Sequence, residues 1–407
     1  MKTIVYIGLP SEGHFVPSET IMRELLKKKV KLLYLGCEHY KKRIEEMEID
    51  YIYCSEIERL WNENKLMKNS LVYVPKKQFT IEKIKKNYLR WINDYKNKGN
   101  IFLSIVEKLH PDYIIYDAHA RWGRFVASNL GLPALSIQTS VAANAKMCTD
   151  NFDFFARYFL KAEKHLLKES FSLKLHLENY LKKICLINHI QDFSLVDGYG
   201  CQSHRNILWG RKELQPFSEY FTGEKYFFYS CYKRDFDNEN LLSCRSVIYI
   251  CLGSVLCNCG DSWKFYNDCI SALKGLKNYT IVISAGENVD KVMKDKRVIV
   301  KKNIDQQRLL KRVALCINHG GKNTIEECID NEVPMLVYPY SNDQFINAFM
   351  VEKRGFGRKL NNIEEKEIRR LANEILTEYS YKKRIHLYNL RKNKKYMLSN
   401  YLNSFLN

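Results

Sequence analysis

"INHGGKNTIEECIDNEVPMLVYPYSNDQ", residues 317–344, is the stretch of sequence that decides the fold. It joins the end of an apolar strand to a histidine, two glycines, a helical segment and a second apolar strand. Neighbouring strands that are joined through a helix run parallel, with a right-handed crossover. The stretch therefore predicts one unit of a parallel sheet covered by helices.

The same alternation of strand and helix runs through both halves of the chain. Near-continuous apolar segments, typical of strands buried on both faces, occur at 3–8, 31–36, 113–117, 134–138, 225–232, 247–254, 279–284, 297–300, 314–318 and 334–338. Residues 122–131 and the basic region 154–186 are expected to be helical, and Pro17 and Ser18 are expected to start the first helix. We predict an α/β fold with two doubly wound Rossmann-like domains that face each other across a cleft.

A polar segment between the two runs marks a domain boundary. We predict an N-terminal domain over residues 1–232, a linker over 233–246 and a C-terminal domain over 247–380. Residues 381–407 have a helical spacing of apolar side chains and no strand to pair with. We expect this segment to dock across a domain face.

The composition argues against several classes of protein. No apolar run approaches the roughly 20 residues that span a bilayer, so no integral membrane segment is expected. The 13 cysteines are scattered, several within apolar strands, which indicates free thiols in a reducing cytoplasm. Cys257 and Cys259 form the closest pair, and without a second pair we predict no metal ligands. The formal charge of +19 is spread along the whole chain, so we predict no nucleic-acid partner.

A candidate anion site lies where the strand at 314–318 becomes a helix. A helix that begins near Gly321 points backbone N–H groups and its positive dipole end at a ligand. Gly320 and Gly321 allow close approach of the backbone, and Asn323 and Thr324 add side-chain donors. His319 is expected to donate a charge-assisted hydrogen bond. A tight Gly-Gly turn without a ligand is the alternative explanation.

Side chains that can accept hydrogen bonds follow at the same edge of the predicted sheet. Glu327 lies one helical turn further on, and a carboxylate suits a pair of sugar hydroxyls. Asp343 and Gln344 follow the next strand and add polar contacts.

The N-terminal half offers a candidate base. A histidine near neutral pH can take a proton from a hydroxyl, and a carboxylate on its other nitrogen raises its basicity. His14 follows the first strand, and Asp117 ends the strand at 113–117. Glu12, His119 and Asp112 are local competitors for these two roles.

The motifs "HGGKNTIEE", "VPMLVYP" and "NDQ" in residues 303–344 resemble the signature region of nucleotide-sugar-dependent glycosyltransferases of the GT-B fold. The resemblance is to the bacterial macrolide and natural-product enzymes and to the UDP-glycosyltransferase superfamily. It implies that the N-terminal domain binds the acceptor and the C-terminal domain binds the nucleotide sugar. It also implies that the helical segment 381–407 packs across to the N-terminal domain. It also implies an inverting hexosyltransferase that needs no cofactor and no metal, because helix dipole and hydrogen-bond donors balance the diphosphate charge.

The resemblance also assigns roles to single residues. His319, Asn323 and Thr324, with Ser254 from "LGS", would bind the diphosphate. The remaining assignments are Glu327 to the ribose, Asp343 and Gln344 to the transferred sugar, and Gln306 and Asn303 to the nucleobase. Two positions depart from the family pattern: Asn303 replaces a frequent aromatic residue, and Glu332 replaces a usual glycine before "VP".

"GHFVP" resembles the family loop whose histidine is the base. The resemblance therefore implies that His14 deprotonates the acceptor and that Asp117 stabilises the resulting imidazolium. The acceptor itself cannot be inferred, since the resemblance is weak over 40–100 and 141–225. Phe15, Arg121, Trp122 and the aromatic segment 151–159 are candidate pocket walls, with core packing as the alternative.

The favoured hypothesis is transfer of a sugar, glucose in the first instance, from a UDP-sugar to a hydroxyl of a small natural product or a peptide, by a monomer or homodimer. The alternative is a non-catalytic protein: a silent nucleotide-sugar sensor or a subunit for a partner enzyme. A basic nucleic-acid-binding protein is a third hypothesis, and it predicts binding that falls steeply with salt.

Overall fold

The computed structural model describes residues 1–70, 78–191, 193–200, 202–230, 246–340, 343–390 and 398–407, with the backbone alone for residues 64–70. These residues divide into two compact units. Among the described residues, 1–63, 78–229 and 398–407 belong to the first unit, and 64–70, 230, 246–340 and 343–390 belong to the second. The predicted linker, apart from Ser246, lies outside the described residues.

The first unit is built on a parallel sheet. Its described strands are β1 (Thr3–Ile7), β2 (Lys31–Gly36), β3 (Asp50–Tyr53), β4 (Tyr113–Asp117), β5 (Ala134–Gln138), β6 (Arg205–Trp209) and β7 (Tyr226–Tyr229). Their order is β3-β2-β1-β4-β5-β6-β7, and each neighbouring pair is parallel. The central strands β1, β4 and β5 are almost entirely buried, which explains their continuous apolar sequences.

Helices connect these strands. They are α1 (Glu12–Leu26), α2 (Glu38–Glu45), α3 (Ser55–Ser70), α4 (Ile81–Val106), α5 (Trp122–Leu130), α6 (Ala145–Asp150), α7 (Phe152–Tyr158), α8 (Lys164–Lys168) and α9 (Ser170–Ile187). The predicted helical region at 154–186 thus comprises the end of α7, α8 and almost all of α9.

The first helix begins earlier than predicted. Pro17 and Ser18 lie inside α1, which starts at Glu12 after its N-cap residue Ser11. Pro17 has no N–H to donate to the Gly13 carbonyl oxygen, and this costs α1 one helical hydrogen bond. The Ser18 hydroxyl adds a separate bond to the carbonyl oxygen of His14 at 2.7 Å. His14 therefore lies on the first turn of a helix rather than in an open loop.

The second unit repeats the architecture. Its described strands are β8 (Val247–Cys251), β9 (Thr280–Ser284), β10 (Val298–Lys301), β11 (Val313–Asn318), β12 (Met335–Val337) and β13 (Gly357–Lys359). They are all parallel, in the order β10-β9-β8-β11-β12-β13. The helices are α10 (Gly253–Leu256), α11 (Ser262–Leu273), α12 (Gln306–Leu310), α13 (Lys322–Asp330), α14 (Gln344–Arg354), α15 (Glu365–Thr377) and α16 (Tyr379–Leu390). The predicted fold class, two doubly wound Rossmann-like domains, is confirmed.

The last helix, α17 (Leu398–Leu406), is part of the first unit. Leu402 is fully buried in the core of that unit, and the Tyr401 ring stacks on Phe227 with 4.8 Å between centroids. The Tyr401 hydroxyl accepts the backbone N–H of Asn206 at 3.0 Å. α16 belongs to the second unit, so the predicted segment 381–407 is divided between the two units.

Each sheet has a point where the strand order reverses. In the first unit β1 leads through α1 to β2 on one side, while β4 leads through α5 to β5 on the other. In the second unit the reversal lies between β8 and β11. Doubly wound sheets bind ligands in the crevice that such a reversal opens at the carboxyl ends of the strands.

Candidate active site

A histidine and a carboxylate meet at the strand reversal of the first unit. His14 follows β1 on the first turn of α1, and Asp117 is the last residue of β4. The His14 Nδ1 lies 2.7 Å from the Asp117 Oδ2. The Asp117 side chain is fully buried, whereas the His14 side chain is 22% exposed. The two sequence-predicted residues are therefore in direct contact.

The protonation state of this pair follows from its contacts. Burial by itself raises the pKa of Asp117, but the charge and hydrogen bond of His14, helped by His119, hold that pKa below its ordinary value. An ionised carboxylate can only accept, so the His14 Nδ1 carries the proton. The lone pair of the imidazole then lies on Nε2, as a general base requires.

Two further residues, which sequence reasoning did not assign to the pair, support it. The Thr139 Oγ1 lies 2.8 Å from the same His14 Nδ1. The backbone N–H of His119 donates to the second oxygen of Asp117 at 2.8 Å. Thr139 follows β5, the strand next to β4, but a threonine after a strand carries no sequence signal of such a role.

His119 does not have the properties of a base. Its ring lies across that of His14, with 5.3 Å between centroids, and its Nε2 lies 2.8 Å from the Ser140 Oγ. Burial, followed by the nearby charge of His14, lowers the pKa of His119 to about 3. The ring is therefore neutral near pH 7 and its contribution is structural.

The acidic competitors have other partners. Glu12 forms an ion pair with Arg43 at 3.0 Å. Asp112 accepts the backbone N–H of Thr3 at 2.7 Å, at the end of β1 opposite to His14. Neither carboxylate contacts His14.

Most of the candidate pocket walls pack in the core of the first unit. Phe15 is 1% exposed and stacks on Tyr40, and Trp122 is 3% exposed and stacks on Phe102. Arg121 donates to the carbonyl oxygens of Asp197 and Gly198. Within 151–159, the side chains of Phe152, Phe155 and Phe159 are buried. These contacts explain the residues through packing, which was the alternative reading of the sequence.

In the second unit, His319 occupies a narrow space at the strand reversal. Gly253, after β8, has a φ of +68°, and a Cβ there would lie 2.6 Å from the His319 Cε1. A Cβ on Gly321 would lie 2.5 Å from the His319 Nε2. Only glycine fits at both positions, so the two glycines fix the plane of the imidazole. Gly253, like Thr139, was not assigned from the sequence.

The backbone turn before α13 is held by two buried amides. The Asn318 Oδ1 accepts the N–H of Gly320 at 2.8 Å, and the Asn347 Nδ2 donates to its carbonyl oxygen at 2.9 Å. Gly320 has a φ of +85°, which favours glycine. α13 then starts after Gly321, and its first-turn N–H groups point out of the helix end. Asn323 and Thr324 lie on that turn, as predicted.

His319 is neutral rather than charged. It is 9% exposed, and burial lowers its pKa to about 4. Its Nδ1 is buried without a hydrogen-bond partner in the described residues. An unpaired buried polar atom costs free energy unless a ligand or water satisfies it. The ring thus offers an uncharged N–H, not the charge-assisted bond expected from the sequence.

Glu327 is hydrogen-bonded to Gln306, the residue predicted to contact the nucleobase. The Gln306 Nε2 donates to the Glu327 Oε2, and the Gln306 Oε1 accepts the Tyr249 hydroxyl at 3.1 Å. Burial raises the pKa of Glu327, and the hydrogen bonds of Gln306 and Gln307 oppose the rise. Both ends of the Gln306 amide are therefore oriented by the protein.

The other predicted donor residues lie at the same edge of the sheet. Asp343 and Gln344 start α14 after β12, and the Gln344 Oε1 accepts the N–H of Tyr340 at 2.9 Å. Ser254 lies in α10 after β8 and Asn303 follows β10; both are exposed. All these positions follow the carboxyl ends of strands of the second unit.

The unusual residue Glu332 adopts the backbone conformation of the glycine it replaces. Its φ is +54°, and the turn is closed by a bond from the Val333 N–H to the Cys328 carbonyl oxygen at 2.8 Å. A left-handed non-glycine residue costs roughly 1 kcal/mol. His386 lies 2.9 Å from the Glu332 Oε1 and partly offsets that cost. The turn into β12 is therefore kept despite the substitution.

Comparison with known proteins agrees with the geometry of the second unit. Residues 237–395 match the family model described as UDP-glucoronosyl and UDP-glucosyl transferase. The uncharacterized UDP-glucosyltransferase YojK of Bacillus subtilis is 27% identical over 402 residues, covering 94% of this chain and 91% of its own length. Both similarities are to UDP-glycosyltransferases and support that activity for this chain.

Solved structures of glycosyltransferases show the same fold as this chain. The glycosyltransferase of kitacinnamycin superposes with a TM-score of 0.67 at 19% identity, covering 99% of this chain and 95% of that one. The calicheamicin glycosyltransferase CalG4 gives a TM-score of 0.67 at 16% identity, covering 100% and 95%. Both alignments span the two units of the enzyme.

The buried histidine of the donor half makes the stability of the second unit depend on pH. The pKa of His319 is depressed on folding, so below about pH 6.5 the unfolded chain binds a proton that the native unit does not. Between about pH 7.5 and pH 5.5 this lowers the free energy of unfolding by about 1.4 kcal/mol. In urea unfolding at both pH values, His319→Gln should reduce the pH-dependent decrease in the unfolding free energy of the second unit by about this amount. An identical pH dependence in the two proteins would show that His319 is not buried as a neutral ring.

Proposed function

We propose that this UDP-glycosyltransferase transfers glucose from UDP-glucose to a hydroxyl of a small natural product, with inversion at the anomeric carbon and without a metal. The observation that carries the proposal is the 2.7 Å contact between His14 and a fully buried, ionised Asp117. A silent nucleotide-sugar sensor would have no use for such a base. The name of YojK supports UDP-glucose as donor, and the kitacinnamycin and calicheamicin glycosyltransferases support a natural-product acceptor.

The first unit supplies the proton transfer. The Nε2 of His14 takes the proton of the acceptor hydroxyl, and the oxygen forms a bond to the anomeric carbon as the bond to the diphosphate oxygen breaks. The negative Asp117 stabilises the imidazolium that forms. Thr139 and the backbone N–H of His119 hold the base and the carboxylate in position. A single displacement of this kind inverts the configuration.

The second unit supplies the site for the leaving group. The N-terminal end of α13, with Gly320 and Gly321, favours the diphosphate through its N–H groups and dipole. The side chains assigned to the diphosphate are His319, Asn323, Thr324 and Ser254. The orphan Nδ1 of His319 supports this, because a phosphate oxygen would give it a partner.

The remaining donor residues are assigned to the nucleoside and the sugar. Glu327 binds the ribose hydroxyls, and Gln306, oriented by Tyr249, binds the base beside Asn303. Asp343 and Gln344 bind hydroxyls of the transferred glucose. Because N–H donors and the helix dipole balance the charge of the diphosphate, the proposed reaction proceeds in the presence of a chelator.

Removal of the base should abolish turnover. In an assay with UDP-glucose, a panel of phenolic and alcohol acceptors and EDTA, His14→Ala should lower kcat by about 10²- to 10⁴-fold. His204→Ala, at an exposed histidine, is the matched control and should keep wild-type turnover. Undiminished turnover of His14→Ala would exclude His14 as the base, and absence of both transfer and UDP-glucose hydrolysis in the wild type would favour the sensor.

The hydroxyl of Thr139 should affect kcat more than KM. Its Oγ1 contacts the His14 Nδ1 and not the reacting nitrogen, so its loss changes the position of the base and leaves donor binding intact. We expect Thr139→Val to lower kcat by about tenfold, the value of one buried hydrogen bond. Thr139→Ser keeps the hydroxyl and should restore most of the activity; equal losses in the two variants would mean that packing of the methyl group, not the hydroxyl, is required.

A further inference from the structure

The helix α9 has apolar side chains on two opposite faces. One face packs into the first unit through the buried residues Leu173, Leu177, Leu181 and Ile184. The opposite face is open to solvent. There Phe171 is 79% exposed, Leu175 is 51% exposed and Leu186 is 78% exposed. A helix on the surface of a soluble protein normally has a polar outer face.

The three exposed residues form a single stripe. At about 100° per residue, Phe171, Leu175 and Leu186 lie within about 60° around the helix axis. They extend over about 23 Å of its length, at about 1.5 Å per residue. We call these three residues the α9 stripe. Isolated exposed apolar residues are ordinary, but an aligned set on one helix indicates an interaction surface.

Lysines accompany the stripe. Lys182 lies between Leu175 and Leu186 on the same side of α9, and Lys183 is beside it; both are exposed. No ion pair links either ammonium group to a carboxylate of the described residues. Over 163–187 there are five lysines and three glutamates, and the whole chain carries +19. The surface around the stripe therefore attracts anions.

We propose that the α9 stripe binds the surface of an anionic lipid bilayer, with α9 lying in the plane of the headgroups. Apolar side chains that alternate with lysines along a helix insert between headgroups while the ammonium groups meet lipid phosphates. No helix in the described part of the chain is long and apolar enough to cross a bilayer, and the proposal requires none. The proposal does not depend on the reaction assigned above.

Two other occupants fit the surface less well. A second copy of the chain would bring another charge of +19 to the same face, and like charges oppose association. A protein partner binds through a compact cluster of apolar contacts surrounded by a polar rim. The α9 stripe is instead a line of separated side chains with a lysine inside it.

Vesicle sedimentation of the full-length enzyme tests the proposal. The vesicles are phosphatidylcholine alone or with about one-quarter phosphatidylglycerol, at about 0.1 M and about 0.5 M salt. The wild type should bind the anionic vesicles, and high salt or removal of the anionic lipid should weaken binding. The variant F171S/L175S/L186S should bind at least about tenfold more weakly. The double variant L89S/I101S, at two exposed positions of α4, is the matched control and should bind like the wild type.

Each other outcome overturns the proposal. Absence of binding to anionic vesicles, or equal binding by the stripe variant and the wild type, excludes a lipid surface at α9. A concentration-dependent dimer in sedimentation velocity that the stripe variant loses, without vesicle binding, would make the surface an interface between copies. Binding to polyglutamate but not to vesicles would indicate an acidic protein partner. Circular dichroism and the unfolding midpoint verify that the variants, changed only at exposed positions, remain folded.

Discussion

The reversal of strand order in each parallel sheet is the constraint on which both halves of the enzyme depend. Where neighbouring strands send their helices to opposite sides, the carboxyl edge of the sheet opens, and residues that follow those two strands meet there. In the first unit the reversal brings His14 after β1 to Asp117 at the end of β4. In the second unit it brings Gly253 after β8 against His319 after β11. Residues more than 60 positions apart in sequence thus become one site in each unit.

Three histidines at these reversals have different properties because their surroundings differ. His14 is partly exposed and shares its Nδ1 with a buried carboxylate, which directs the lone pair to Nε2. His119 is half-buried and His319 is buried, and desolvation lowers the pKa of each ring far enough to keep it neutral near pH 7. One residue type can therefore act as a base, support a neighbouring carboxylate or donate an uncharged N–H.

Most of the sheet strands could be predicted from the sequence, because strands buried on both faces need unbroken apolar segments. β3, β6 and β13 were missed. β3 and β13 lie at sheet edges and are short, and β13 consists of Gly-Arg-Lys, so backbone pairing and not side-chain burial defines it. The start of α1 was placed too late because Pro17 usually marks a helix start, whereas here it lies in the second turn of a helix that begins at Glu12.

The donor and base residues could be proposed from motifs, but their supporting contacts could not. Thr139, Asn318 and Asn347 act through single hydrogen bonds whose partners are distant in sequence or set by local backbone geometry. At Glu332 the residue type was misleading about the backbone conformation. Its type argued against the family turn, yet its φ of +54° keeps that turn at a modest cost.

The central claim is that the second unit binds the nucleotide by itself while the first unit holds the base. Calorimetric titration of UDP into the wild type, His14→Ala and His319→Ala, in EDTA, tests it most directly. We expect the same Kd for the wild type and His14→Ala, and a Kd raised by about tenfold or more in His319→Ala, which loses one N–H donor at the diphosphate. Weakened UDP binding in His14→Ala, or unchanged binding in His319→Ala, would contradict this division between the two units.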